Sequence, residues 1–345
     1  METTKFDYNY DYDNDTSTPA TSCNLEYSNI VGSHLSILFY FMFLFSVCFN
    51  VLVLVIIHRF EKLTTVTNIL LLNLVVSSLI FVSSLPFVAV YMQHSEWIFG
   101  SAMCKIVTTV YNMGIYSSVL FLALLTFDRH LAVVYSLGAS RMRTQRYAIA
   151  SCVVVWLVTS LACVIQVILT NTHVLQKNNK TYCDDFSGDV RLRKLRLLRK
   201  LRFYLQIFLF LLFPLAVIIY CYIRITITVI KSKIVTKFKT VRLIFIIVVL
   251  FFVCWTPYNI ILSMHDIATH ECENLKKVIY ALHITQNLTY IYFCISPIFY
   301  TFVGRKFQNY FRLMLVNRFP RLRKHISVSQ HTGTNPPTRT TSNDL

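Results

Sequence analysis

The chain has 345 residues, 55% of them hydrophobic and 14% charged, with a formal charge of +17 and a mean hydropathy of +0.54. Soluble domains carry about 25% charged residues, so the deficit excludes an ordinary soluble domain; seven glycines and eight prolines exclude collagen-like or low-complexity chains. The basic residues sit between long apolar runs, as membrane proteins place them, so the charge points to a lipid bilayer and not to nucleic acid.

Residues 1–32 hold six acids and one lysine and read as a disordered acidic tail. It has no apolar signal-peptide core, so the first span is expected to act as its own insertion signal. Apolar runs follow at about 35–57, 69–92, 105–127, 147–169, 203–223, 243–263 and 278–303, each near or above the ~20 residues a membrane helix needs. These predict an all-α membrane protein, a seven-transmembrane helix bundle over 33–303, with the termini on opposite sides. The third run, Cys104 to Tyr135, has no proline and carries the charged pair Asp128-Arg129 near its end. As one helix it would be roughly 47 Å long, more than the ~30 Å hydrocarbon core. It must therefore tilt and stay covered by its neighbours, which makes it the expected hub.

After the seventh run, Phe307, Phe311, Met314 and Leu315 share one helical face, flanked by Arg305, Lys306 and Arg312. This predicts a short amphipathic eighth helix over 304–316 along the membrane surface, with no later cysteine to carry a palmitoyl anchor. Residues 317–345, rich in Ser, Thr and Pro, are expected to be disordered. Lysine and arginine set the orientation. The loops at 58–68, 136–146 and 224–242 and the tail from 303 carry 19 of them, and the opposite face carries 12. The C-terminus is thus expected in the cytoplasm and the N-terminus outside. Seven of the 12 lie in Arg191–Arg202 and run against the rule. The leucines at 192, 195, 198 and 201 recur at helical spacing, so this stretch is expected to extend the fifth span outward. It reads as a solvated extension, or as a surface that repels basic ligands, recruits an acidic ligand or glycosaminoglycan, or meets anionic headgroups.

Of ten cysteines, Cys48, Cys152, Cys163, Cys221, Cys254 and Cys294 fall inside apolar runs and read as small core residues. Cys23, Cys104, Cys183 and Cys272 lie outside the runs or at their ends. No Cys or His spacing fits a metal, and no cofactor is expected. Asn14-Asp15-Thr16 and Asn179-Lys180-Thr181 fit the glycan-acceptor pattern; Asn287-Leu288-Thr289 also fits but lies within a span and is rejected. Seven spans would suit a channel, transporter or light-driven pump too. However, the middles of the spans hold no titratable group except His283 near one end of the seventh, no lysine stands in the seventh span, and the halves do not repeat.

Asp128-Arg129-His130 closes the third span, Trp156 lies in the fourth, and Pro214 and Tyr222 in the fifth. The sixth contains Cys254-Trp255-Thr256-Pro257-Tyr258 and the seventh Ser296-Pro297-Ile298-Phe299-Tyr300. Their order and spacing resemble the rhodopsin-like G-protein-coupled receptors. Ser84-Leu85-Pro86, Trp97-Ile98-Phe99-Gly100, Asp128-Arg129-His130-Leu131-Ala132-Val133-Val134 and Phe302-Val303-Gly304-Arg305-Lys306-Phe307 narrow the resemblance to chemokine receptors, near the CC and XC branch.

The resemblance implies a non-enzymatic plasma-membrane receptor that binds a chemokine and activates a heterotrimeric, inhibitory G protein, leading to chemotaxis and calcium signalling. It implies disulfides Cys104–Cys183 and Cys23–Cys272, all four cysteines on the face assigned as oxidising. Phe6 to Asp13 alternates tyrosine with acid, and the resemblance implies sulfation of Tyr8, Tyr10 or Tyr12, which with Asp11 and Asp13 would meet a basic ligand. Tyr111 and Gln286 are expected in the helical pocket. Asp128 is expected to supply the anion for Arg129. Arg129 would release it on activation and meet the G protein near Tyr222 and Tyr300. Pro257 would kink the sixth span beside Trp255 into a two-state lever with Lys237 and Lys239 at its inner end. Serines and threonines from Ser327 to Ser342 imply receptor kinases and arrestin as further partners.

Departures from the pattern bear on coupling. Ser78 stands where the family has an aspartate, Ser296 where it has asparagine, His130 where it has tyrosine, and Gln286 where chemokine receptors carry a glutamate. Asn50, Ser78, Ser118 and Ser296 would leave the sodium pocket without a carboxylate, so no sodium regulation is expected. These departures keep open an atypical, chemokine-scavenging receptor with weak coupling.

Overall fold

The structure is a computed structural model that describes residues 5–6, 25–26, 29–60, 65–135, 143–175, 179–185, 193–232, 235–265, 272–302 and 305–318, most of them with side chains. Helices occupy each expected run. The first span is α1 (Asn29–Phe60), the second α2 (Val66–Ser83) with α3 (Leu85–His94), the third α4 (Gly100–Val134) and the fourth α5 (Gln145–Leu169). The fifth joins α6 (Arg193–Ile207), a π-helical turn (Phe208–Leu212) and α7 (Phe213–Ser232). The sixth is α8 (Val235–His265), the seventh α9 (Cys272–Phe302), and α10 (Arg305–Arg318) is the short eighth helix. Among the described residues five stretches are each long and apolar enough to cross a membrane, and Val249–Met264 is a shorter apolar helix. The protein is a seven-transmembrane helix bundle.

Two boundaries differ from the sequence reading. Helix α1 begins at Asn29, inside the segment read as tail, and α10 runs two residues beyond 316. Two short pairings add strand to an otherwise helical chain: β1 (Lys5–Phe6) with β2 (Leu25–Glu26), and β3 (Thr170–Leu175) with β4 (Lys180–Asp185). The second hairpin turns at Asn179, whose φ of 52° is the left-handed conformation that asparagine tolerates best after glycine. The fifth span does extend as its leucine spacing predicts, back to Arg193.

Local chemistry explains the helix ends and breaks. Thr65 and Thr144 cap α2 and α5, each hydroxyl accepting from the backbone N–H three residues on. A proline has no N–H, so within a membrane it frees the carbonyl four residues earlier, and something must take that carbonyl up. Pro214 frees Phe210, whose oxygen accepts from Trp255 Nε1 at 3.1 Å, while Phe213 N–H reaches back to Phe208 to make the π turn. Pro297 frees Phe293, whose oxygen accepts from Ser78 Oγ at 3.3 Å. Around Pro257, Thr289 Oγ1 donates to the Cys254 carbonyl at 3.1 Å and Asn259 Nδ2 to that of Trp255 at 2.8 Å. Before Pro86 the helix breaks at Ser84, whose Oγ donates to the Phe81 carbonyl at 2.7 Å.

The third span is the hub. Of its most apolar window 67% is buried, against 33% for the first span and 39% for the fourth and fifth, so the others wrap it. Phe41, Leu44, Leu161, Phe208, Val253 and Ile284 point away from the bundle, where lipid takes the place of a core. At mid-span the second and third spans touch backbone to backbone: a Cβ on Gly114 would lie 2.5 Å from the Phe81 nitrogen.

Candidate functional site

One end of the third span is held covalently. Cys104, fully buried, is joined to Cys183 of β4 with Cα atoms 5.6 Å apart. Beside it Trp97 packs against Cys104 and Val107. Its ring nitrogen donates to the Gly100 carbonyl and its backbone N–H to the Thr181 carbonyl, both at 2.8 Å. The Trp97-Ile98-Phe99-Gly100 loop is thereby pinned to the hairpin, with Gly100 at the positive φ (76°) that the turn requires. Cys23 and the side chain of Cys272 lie outside the described residues, as do Tyr8, Tyr10, Asp11, Tyr12, Asp13 and Asn14. Asn179 is exposed at the hairpin turn, accessible to a glycan.

Below the disulfide, Tyr111 and Gln286 come together as expected, and with them Tyr290, which the sequence reading missed. Gln286 Nε2 donates to the Tyr290 hydroxyl at 2.7 Å, and the Tyr111 hydroxyl is a hydrogen-bonding neighbour of both. The Tyr111 and Tyr290 rings meet edge to face, centroids 5.5 Å apart. Tyr290 lies one helical turn after Gln286, the i, i+4 spacing that marks neighbours on a helix face and that would have found it.

From this cluster an unbroken line of rings descends to Trp255. Tyr111 meets Phe81 at 5.7 Å, Phe81 meets Phe293 at 5.7 Å, and Phe293 meets Trp255 at 6.0 Å. Trp255 is 2% exposed. A buried polar chain runs beside it: Tyr116 OH donates to Gln206 Oε1 at 3.2 Å and Gln206 Nε2 to Asn259 Oδ1 at 2.9 Å. Asn259 in turn donates to the Trp255 carbonyl. Three spans thus converge on the residues around Pro257.

The group expected at the sodium pocket is only partly engaged by protein, since Asn50 Oδ1 and Ser118 Oγ are buried with no hydrogen-bond partner among the described residues. Ser46 Oγ donates to the Cys294 carbonyl at 3.1 Å, Asn50 Nδ2 donates to the Ser46 carbonyl at 2.8 Å, and Ser78 holds Phe293. The Ser296 side chain lies outside the described residues.

At the other end of the third span the expected partner of Asp128 is replaced. Asp128, 3% exposed, forms an ion pair with Arg143 at 2.7 Å and accepts from Thr67 Oγ1 at 2.7 Å. Arg129 makes no hydrogen bond or ion pair among the described residues. Adjacent residues on a helix diverge by about 100°, so sequence neighbours do not face each other. His130 is buried among Phe127, Tyr135 and Tyr220, and Tyr222 is buried close by. The side chains of Tyr300, Lys237 and Lys239 lie outside the described residues. Helix α10 docks here through Tyr310, stacked on Phe60 at 5.1 Å.

Comparison with known proteins gives a consistent placement. The family described as the 7 transmembrane receptor (rhodopsin family) matches residues 49–300. The chain is similar to C-C chemokine receptor type 3 of Cavia porcellus, 36% identical over 281 residues, covering 81% of this chain and 77% of that protein. It is similar to C-C chemokine receptor type 1 of Homo sapiens, 34% identical over 321 residues, 92% and 86% of the two chains. G-protein coupled receptor E1 of Equine herpesvirus 2 (strain 86/87) is 35% identical over 278 residues, 79% and 71% of the two chains.

Proposed function

As the chain belongs to the rhodopsin family of seven-transmembrane receptors, and within it to the chemokine receptors, a non-enzymatic group of multi-pass membrane proteins, we propose that it binds a chemokine at the disulfide end and activates a heterotrimeric, inhibitory G protein at the Asp128 end. In this reading the disulfide end and the acidic N-terminus face outside, and α10 and the C-terminus face the cytoplasm. The acidic, tyrosine-bearing tail, with Tyr8, Tyr10 and Tyr12 sulfated, steers a basic ligand toward the opening. Tyr111, Gln286 and Tyr290 meet the part of the ligand that enters. Receptor kinases and arrestin act on the Ser- and Thr-rich C-terminal segment, and Asn14 and Asn179 carry glycans.

The observation that carries the reading is the line Tyr111–Phe81–Phe293–Trp255, whose successive rings pack from the proposed ligand end to the tryptophan two residues before Pro257. A ligand that displaces Tyr111 shifts rings packed directly on Trp255. Trp255 in turn holds the Phe210 carbonyl of the fifth span. A packed core has discrete arrangements, so such a shift biases the sixth span between two states and does not merely strain it.

The test is a chemokine panel on cells expressing the receptor, with binding and inhibition of cyclic AMP read in the same cells. The expected result is binding of at least one chemokine with a fall in cyclic AMP that pertussis toxin blocks. Binding without a G-protein response would replace signalling by scavenging, the alternative that the departures at Ser78, His130 and Ser296 raised. No binding by any chemokine, or a current or solute flux in its place, would overturn the ligand class.

A further inference from the structure

The carboxylate of Asp128 accepts three hydrogen bonds from two side chains that lie far from it in sequence. Arg143 approaches edge-on, its Nε 2.7 Å from Oδ1 and its Nη2 3.1 Å from Oδ2. Thr67 Oγ1 donates to Oδ2 at 2.7 Å and itself accepts from Arg143 Nη2 at 3.3 Å. This bidentate arrangement is the strongest form of guanidinium–carboxylate contact. The pair lines a small recess whose other walls include Val66, Leu70, Leu124 and Phe127. Arg143 directly precedes Thr144, the residue that caps the fourth span, so its reach toward Asp128 is set by how that span seats against the second and third.

Two guanidiniums therefore stand near one carboxylate, and Arg143 has it. We infer that Arg143 is a positioning residue for G-protein coupling: by occupying Asp128 it keeps that carboxylate from pairing with Arg129, whose guanidinium makes no hydrogen bond or ion pair among the described residues, and so leaves Arg129 to the partner at that face. The inference rests on the coupling reading above. It reverses the role expected of the tripeptide, in which Asp128 itself restrains Arg129. The pair that must hold for coupling is Asp128–Arg143, joining the third span to the base of the fourth, and its loss hands the carboxylate back to Arg129.

The test compares Arg143→Gln, Asp128→Asn and the double variant at matched surface levels, using a chemokine found in the panel as agonist. Agonist-driven nucleotide exchange should fall about tenfold in Arg143→Gln, the ratio that ~1.4 kcal/mol produces. It should return to within about twofold of wild type in the double variant, because no anion remains to capture Arg129. Unchanged exchange in Arg143→Gln, or a double variant as impaired as the single, would overturn the role. A second readout does not depend on coupling: melting of the detergent-solubilised receptor. Each single variant should lower Tm by a few degrees and the double no further than the lower single, whereas additive losses would overturn the pairing itself. Non-additive melting in a receptor whose wild type drives no exchange would remove the coupling reading, and with it the role of Arg143, while leaving the ion pair in place.

Discussion

The two ends of the third span are secured by different kinds of bond. At Cys104 the span is tied covalently to a hairpin, and Trp97 is sealed around the joint. At Asp128 it is held by hydrogen bonds and one ion pair, with two arginines within reach of the same carboxylate. A disulfide keeps one partner for the life of the protein, whereas an ion pair between a buried carboxylate and a partly exposed guanidinium can exchange partners without breaking a covalent bond. Under the proposed function, the fixed end is the one assigned to the ligand and the exchangeable end the one assigned to the G protein.

Breaking the fixed end should have the largest effect. Cys104→Ser or Cys183→Ser opens a link across 79 residues of sequence, which chain entropy values at ~4–5 kcal/mol. Receptor at the cell surface, read by antibody staining, should fall at least tenfold. Asp128→Ala should cost less, about 2–3 kcal/mol, because Arg143 is 29% exposed and its freed charge can reach water. That variant should still reach the surface and bind ligand within about threefold of wild type while melting several degrees lower. Equal losses from the two ends would erase the distinction between them. Trp255→Phe removes the donor to the Phe210 carbonyl and should cost ~1–2 kcal/mol, depressing nucleotide exchange while ligand affinity holds. Gln286→Leu gives the smallest change. Loss of its hydrogen bond to Tyr290 is worth ~1 kcal/mol, a roughly fivefold weaker ligand affinity at unchanged surface level.

The seven spans were legible because length and apolarity alone decide what can cross a bilayer. The extension of the fifth span back to Arg193 was legible from Leu195, Leu198 and Leu201, whose three-residue spacing persists among arginines. The hairpin at Thr170–Asp185 was not, since two six-residue strands of threonine, histidine and tyrosine beside polar residues carry too short a period to distinguish them from loop. Tyr111 and Gln286, each expected in a helical pocket, do lie together, but Tyr290 lay hidden as one tyrosine among several in an apolar run. The partner of Asp128 could not be read at all. Adjacency favoured Arg129, while Arg143 is brought back by the packing of the fourth span, for which no local pattern codes. Ser78 was legible only as a departure; its bond to the carbonyl that Pro297 frees gives it a structural task that needs no charge.

With the Phe81 backbone where a side chain of Gly114 would stand, the second and third spans bear on each other with nothing compressible between them. Such a contact leaves the two spans no room to approach further at this level. Tyr111 lies three residues to one side of it and Asp128 fourteen to the other. At ~1.5 Å of rise per residue, a tilt about Gly114 carries Asp128 about fivefold farther than Tyr111. Were the helix to tilt rigidly there, a shift of a fraction of an ångström at Tyr111 would correspond to one several times larger at Asp128.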